Sequence, residues 1–138
     1  MMYHPDYVQL LVNLFLKACD ARAWAEVADT YEAVRYLRMT EVYLEQVYHI
    51  APPQVASYVN KRLQEIMGDG MTVSKYFEHL ARVCDNIQMM DMRARDKQEL
   101  CNREYAAALD VLFMVVGEAL NAAGVFKLSA VEERRVRA

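Results

Sequence analysis

Apolar residues recur at helical spacing along almost the whole chain. Between residues 5 and 19, Tyr7, Leu10, Leu11, Leu14, Phe15 and Ala18 follow the i, i+3, i+4, i+7 rhythm of an amphipathic helix. Pro5 suits the first helical position, where no backbone donor is needed, and Asp6 favours the positive end of the helix dipole. A tight connection over residues 20–22 then leads into a second helix over about 23–50, with Trp24, Val27, Tyr31 and Val34 on one face and Leu37, Leu44 and Tyr48 continuing it, with a bend near Thr40. Ala51-Pro52-Pro53 ends this helix, because the residue before a proline is driven out of the α region and proline has no amide to donate.

A third helix, about 53–67, gathers Val55, Tyr58, Val59, Leu63, Ile66 and Met67 on one side and stops at Gly68-Asp69-Gly70. A fourth, about 72–94, starts after Thr72 and keeps its stripe through Val73, Tyr76, Phe77, Leu80, Val83, Cys84, Ile87 and Met90. Asp96 followed by Glu99 has capping-box spacing, which places the start of a fifth helix near 97; it runs to about 123 before Gly124. A single bent helix across both segments is the alternative. Ser129 with Glu132 repeats the capping pattern and predicts a short helix over about 130–137. The pattern as a whole predicts an all-α, single-domain bundle of five to six helices.

The stretch from Ala33 to Ile50 adds something to this picture. Its only polar stripe is Arg35, Arg38, Glu45 and His49, with Glu41 beside it. A surface helix normally buries one apolar face, so a helix that is apolar on most sides is either central or half of an interface. Tyr36 and Tyr43 lie on the opposite side from Val34 and Leu37; with the latter pair facing the core, Tyr36, Met39, Tyr43, Val47 and Ile50 are expected to face a partner. Tyrosine combines a large apolar area with a polar tip, and Met39, Met89, Met90 and Met92 would add adaptable surface. The middle of the fifth helix, AAALDVLFMVVGEAL, is apolar nearly all round and is expected to be the other central element.

Composition agrees with helix: 55% of the 138 residues are hydrophobic, with only 4 Gly and 3 Pro. A formal net charge of -3 argues against a dedicated binder of phosphate backbones. A local basic cluster, Arg93, Arg95, Lys97 and Arg103, with Arg134, Arg135 and Arg137 near the C-terminus, is a candidate contact for phosphate or an acidic partner, although Asp91, Asp96, Glu99, Glu132 and Glu133 dilute its field. It supports a second reading, an accessory subunit of a nucleic-acid-handling complex. Cys19, Cys84 and Cys101 are an odd set without close spacing and are expected to be reduced thiols. The first apolar run is broken by Asn13 and Lys17 and lacks a preceding Lys or Arg, unlike a secretory leader. No run approaches the roughly 20 apolar residues that span a bilayer. A cytoplasmic protein, of a cell or of a host, is expected.

Candidate chemistry is sparse. His4-Pro5-Asp6 spells the tripeptide of J-domain co-chaperones, but there it lies in a loop between two long helices, whereas here it opens the first helix. His49 and His79 are isolated, and no cysteine or histidine pair has metal-ligand spacing. Ser57, Ser74 and Ser129 lie in no nucleophile elbow, no glycine-rich loop is present to cradle a phosphate, and Cys84 and Cys101 sit on apolar faces where burial makes a thiol inert. The pairs Glu41 with Glu45 and Asp91 with Asp96 read as solvated faces. No catalytic residue, metal, cofactor or small-molecule substrate is expected. The sequence therefore reads as a non-enzymatic helical interaction module, an adaptor, assembly subunit or small inhibitor of the kind mobile elements and phages also carry. Such a module self-associates or docks a protein partner.

Overall fold

A computed structural model describes residues 4–127 and 131. It is 84% helical, with five helices and no strand among the described residues: α1 (Pro5–Val27), α2 (Thr30–Ile50), α3 (Pro53–Met67), α4 (Val73–Gln88) and α5 (Ala94–Ala122). The all-α fold is as expected. The short helix expected over 130–137 lies outside the described residues except for Val131, which is helical and buried; Arg134, Arg135 and Arg137 lie outside them too.

The first boundary differs from expectation. α1 continues straight through residues 20–22, because nothing there breaks a helix: the segment holds no glycine or proline, and Ala18, Ala21 and Ala25 are buried as a small-residue face. The turn comes at Ala28 and Asp29, where Ala28 is extended and the Asp29 carboxylate caps α2 by accepting from the Tyr31 amide at 3.1 Å. Trp24 and Val27 therefore belong to α1, and Tyr31 and Val34 to α2.

The prolines end α2 at Ile50, and Gly68 (φ 108°) ends α3 in a conformation only glycine adopts without strain. Thr72 caps α4 as expected, accepting from the Lys75 amide at 3.2 Å, while Asn60 of α3 accepts from the Val73 amide at 2.8 Å. α4 stops at Gln88 instead of about 94, and α5 starts at Ala94 instead of about 97, so the two are separate helices. The expected capping box does not form. Arg93 occupies the cap and its carbonyl accepts from the Lys97 amide at 2.9 Å, leaving Asp96 in the first turn beside the positive helix end. The Lys97 ammonium donates to the Gln88 carbonyl at 2.7 Å and satisfies the end of α4.

α1 and α2 form an antiparallel hairpin, closed at its open end by the Tyr7 hydroxyl donating to the Ile50 carbonyl. α5 is the central helix, packed by α2, α3 and α4 around a core that includes Leu37, Leu44, Leu63, Leu80, Leu109 and Leu112. Among the described residues it is the helix long and apolar enough, by composition, to cross a membrane, a property shared by core helices of this kind. α1 reaches α5 mainly through side chains: the Phe15 and Phe113 rings lie 4.7 Å apart, and Arg22 pairs with Asp110 at 2.8 Å.

Cys84 and Cys101 are joined in a disulfide between α4 and α5, with their Cα atoms 4.9 Å apart. This corrects the expectation of three reduced thiols. The pairing is invisible in spacing because it arises only when α4 and α5 fold back on each other; Cys19 stands outside the bridge.

Candidate docking face on the α1–α2 hairpin

Along α2 the buried line is Ala33, Leu37, Thr40, Leu44 and Val47. The Thr40 hydroxyl, fully enclosed, donates to the Tyr36 carbonyl at 2.9 Å and so leaves no unsatisfied polar atom. On the opposite side Tyr31, Arg35, Arg38, Met39, Val42 and Gln46 face outward. Between the two lines, on the flank toward α1, lie Tyr36, Tyr43 and Ile50, all half-buried. The Tyr36 ring stacks on Trp24 with centroids 6.5 Å apart, and the Lys17 ammonium sits 5.9 Å from the Tyr43 ring centroid.

The expected interface set therefore divides. Met39 stands on the open surface, and Tyr36, Tyr43 and Ile50 form its edge against α1. Val47 is corrected to a core residue with no exposed surface. It follows Leu44 by three positions and Thr40 by seven, which is the spacing of the buried line and not of the tyrosine line.

Residues that sequence reasoning assigned elsewhere complete the face. Trp24 (60% exposed), Val27 (74%) and Tyr31 (59%) cluster at the hairpin turn, and Leu10 and Val42 are each about half exposed. The sequence reading sets Trp24, Val27 and Tyr31 on one face of a single helix across Ala28-Asp29 and leaves them out of the interface set. Two signals were available. Leu10, Lys17 and Trp24 repeat every seven residues, as do Tyr36, Tyr43 and Ile50, the mark of a seam between two helices. Val42 is the apolar residue inside the Arg35, Arg38, Glu45 and His49 stripe. A shallow depression of about 450 Å³ on α2 is lined by Arg35, Arg38, Met39, Val42, Tyr43 and Gln46.

The flank of α2 toward α5 carries one half-buried polar contact. Glu41 accepts from the Tyr105 hydroxyl at 2.8 Å. Burial pushes its carboxyl above the ordinary carboxylate value, outweighing the opposing effects of the Tyr105 hydrogen bond and the Arg38 charge. Burial also raises the Tyr105 phenol well above its usual value, and the neighbouring Glu41 adds to the effect.

The other candidates do not assemble. Of the basic cluster, Lys97 is spent on the Gln88 carbonyl and Arg95 lies 3.6 Å from Glu99. Arg93 and Arg103 are exposed but ten residues apart, about 15 Å along the helix. Met89, Met90 and Met92 are exposed in the α4–α5 loop, away from α2 in the chain. A cleft of about 480 Å³ between α1 and α5 has Phe15, Phe113 and Val131 among its lining, but its cation, Arg22, is already held by Asp110 at 2.8 and 3.1 Å and by Glu26 at 3.4 Å. His4 caps α1, its ring accepting from the Asp6 amide at 3.2 Å, which accounts for the His-Pro-Asp sequence structurally. Among the described residues no group of three or more His, Cys, Asp or Glu side chains is placed to hold a metal ion. In comparisons with known proteins, no family model, curated protein or solved structure matches the chain.

Proposed function

We propose that this chain is a non-enzymatic interaction module, an adaptor, assembly subunit or small inhibitor, that docks protein through the outer face of the α1–α2 hairpin. The observation that carries the reading is the row of exposed apolar side chains shared by both helices: Leu10, Trp24 and Val27 on α1, with Tyr31, Met39 and Val42 on α2. Single exposed apolar residues are ordinary; Trp24, Val27 and Tyr31 gather at the hairpin turn and Met39 and Val42 follow at helical spacing on α2, a concentration that supports a binding surface. Its composition, Trp, Tyr and Met with Arg35 and Arg38 among them, is that of interface centres, where Trp, Tyr and Arg dominate the energetics.

A photo-crosslinking residue at Met39 or Val42, in extract of cells that express the gene, is expected to capture a protein, a second copy of this chain included. The same probe at Asp69, exposed on the α3–α4 loop, is expected to capture none. Equal capture from both positions, or none from either, removes the reading.

A further inference from the structure

We infer that the occupant of this face is a second copy of the chain, seated with its α2 antiparallel about a two-fold axis at Val42. The inference rests on the docking reading above and adds the partner. In an isologous interface residue i meets j while j meets i, so a surface with cations on one side of the axis and an anion on the other is complementary to itself. The exposed line of α2 has this order: Arg35 and Arg38 precede Val42, and Glu45 follows it.

An axis at Val42 lays Val42 on its own copy and puts Arg38 opposite Gln46 and beside Glu45 of the second copy. Arg35 then meets the second copy's His49, which lies 3.5 Å from Glu45 in its own chain. No ion pair joins Arg35 or Arg38 to a carboxylate within the described residues, although Arg38 feels the field of Glu41. The remaining acid on this side, Glu32, falls opposite Pro52, past the end of the second copy's α2. A parallel arrangement would set arginine against arginine. α2 alone is about 31 Å long, so the pairing runs along most of the helix.

Light scattering on the full chain at ~10 to ~300 μM, above the micromolar-to-picomolar Kd range of standard interfaces, is expected to give twice the 16.0 kDa chain mass. Val42→Glu, which places two like charges on the axis, is expected to return the single-chain mass with helical circular dichroism unchanged, since Val42 is about half exposed. Arg38→Glu and Glu45→Arg are each expected to weaken association about tenfold or more, and the double swap to restore it, because like charges opposed across an interface repel and the swap re-pairs them. A monomeric wild type overturns the inference, as does a dimer indifferent to Val42→Glu or a swap that fails to rescue. A monomer whose Val42 probe still captures another protein refutes the second copy alone; a monomer whose probe captures nothing refutes the docking reading as well.

Discussion

Val42 and Val47 sit five positions apart on α2, and the same side chain is about half exposed at one and fully enclosed at the other. Val47→Ala is expected to lower unfolding free energy by about 2 kcal/mol, by loss of buried methyl groups and the gap left behind, whereas Val42→Ala stays within about 0.5 kcal/mol. Urea titrations of the two variants check this; similar losses would show that both valines share one environment. Glu41 supplies a test in pH. Its carboxyl titrates above the ordinary 4.5 in the folded chain, so the fold holds that proton more tightly than the unfolded chain does. Its stabilising share is complete below the unfolded value and is lost as pH rises through the folded one. Glu41→Gln keeps an acceptor for Tyr105 without a charge, so its stability relative to wild type is expected to improve as pH rises above the ordinary 4.5 and to level off once the folded carboxyl has ionised. A difference that does not change with pH would contradict the burial argument. At this scale the sequence was partly readable. Met39 is exposed as the pattern suggests, but Val47 is enclosed, because a wheel apolar on most sides does not reveal where the core direction lies until α1 and α5 are in place.

Helix ends depend on local chemistry, and they were legible where that chemistry is strong. Pro52, Pro53, Gly68 and Thr72 marked the limits of α2, α3 and α4 in the sequence and mark them in the fold. Where the signal is a single aspartate the sequence misleads both ways: Asp29 caps α2 without a pattern to announce it, while Asp96, although correctly spaced from Glu99 for a capping box, serves only in a first turn. Asp29→Ala is expected to destabilise the chain by about 1 kcal/mol, read as a lower thermal midpoint, while Asp96→Ala removes only a dipole contact worth about 0.5 kcal/mol. Equal effects would place the cap elsewhere. The Cys84–Cys101 bridge closes a loop of sequence separation 17, and its reduction is expected to lower stability by about 3 kcal/mol. Alkylation without reductant should then label Cys19 but neither Cys84 nor Cys101; three labelled thiols would place the chain in the reduced form. The same count on protein trapped inside cells reports the compartment, because a reducing cytoplasm disfavours such bridges.

For the molecule as a whole, the helical class was written in the period of its apolar residues, and the central place of α5 in a middle segment apolar on nearly every side. The assembly of helices was not, because α1 meets α5 through a few large side chains whose pairing no spacing announces. Phe15, 3% exposed against Phe113 and Phe126, is the main one. Phe15→Ala is expected to lower stability by about 3 to 5 kcal/mol and to accelerate amide exchange in α1 and α2 more than in α3 and α4; uniform acceleration would show that the hairpin does not loosen as a unit. The hydroxyl of Tyr7 on the last carbonyl of α2 has a further consequence. Fastened there as well as at the Asp29 bend, the two helices resist spreading like tongs, so the outer face they share holds its form. Whatever settles on it meets a shape already cast and forfeits little motional freedom in doing so, which favours quick, repeated engagement over slow remodelling of either side.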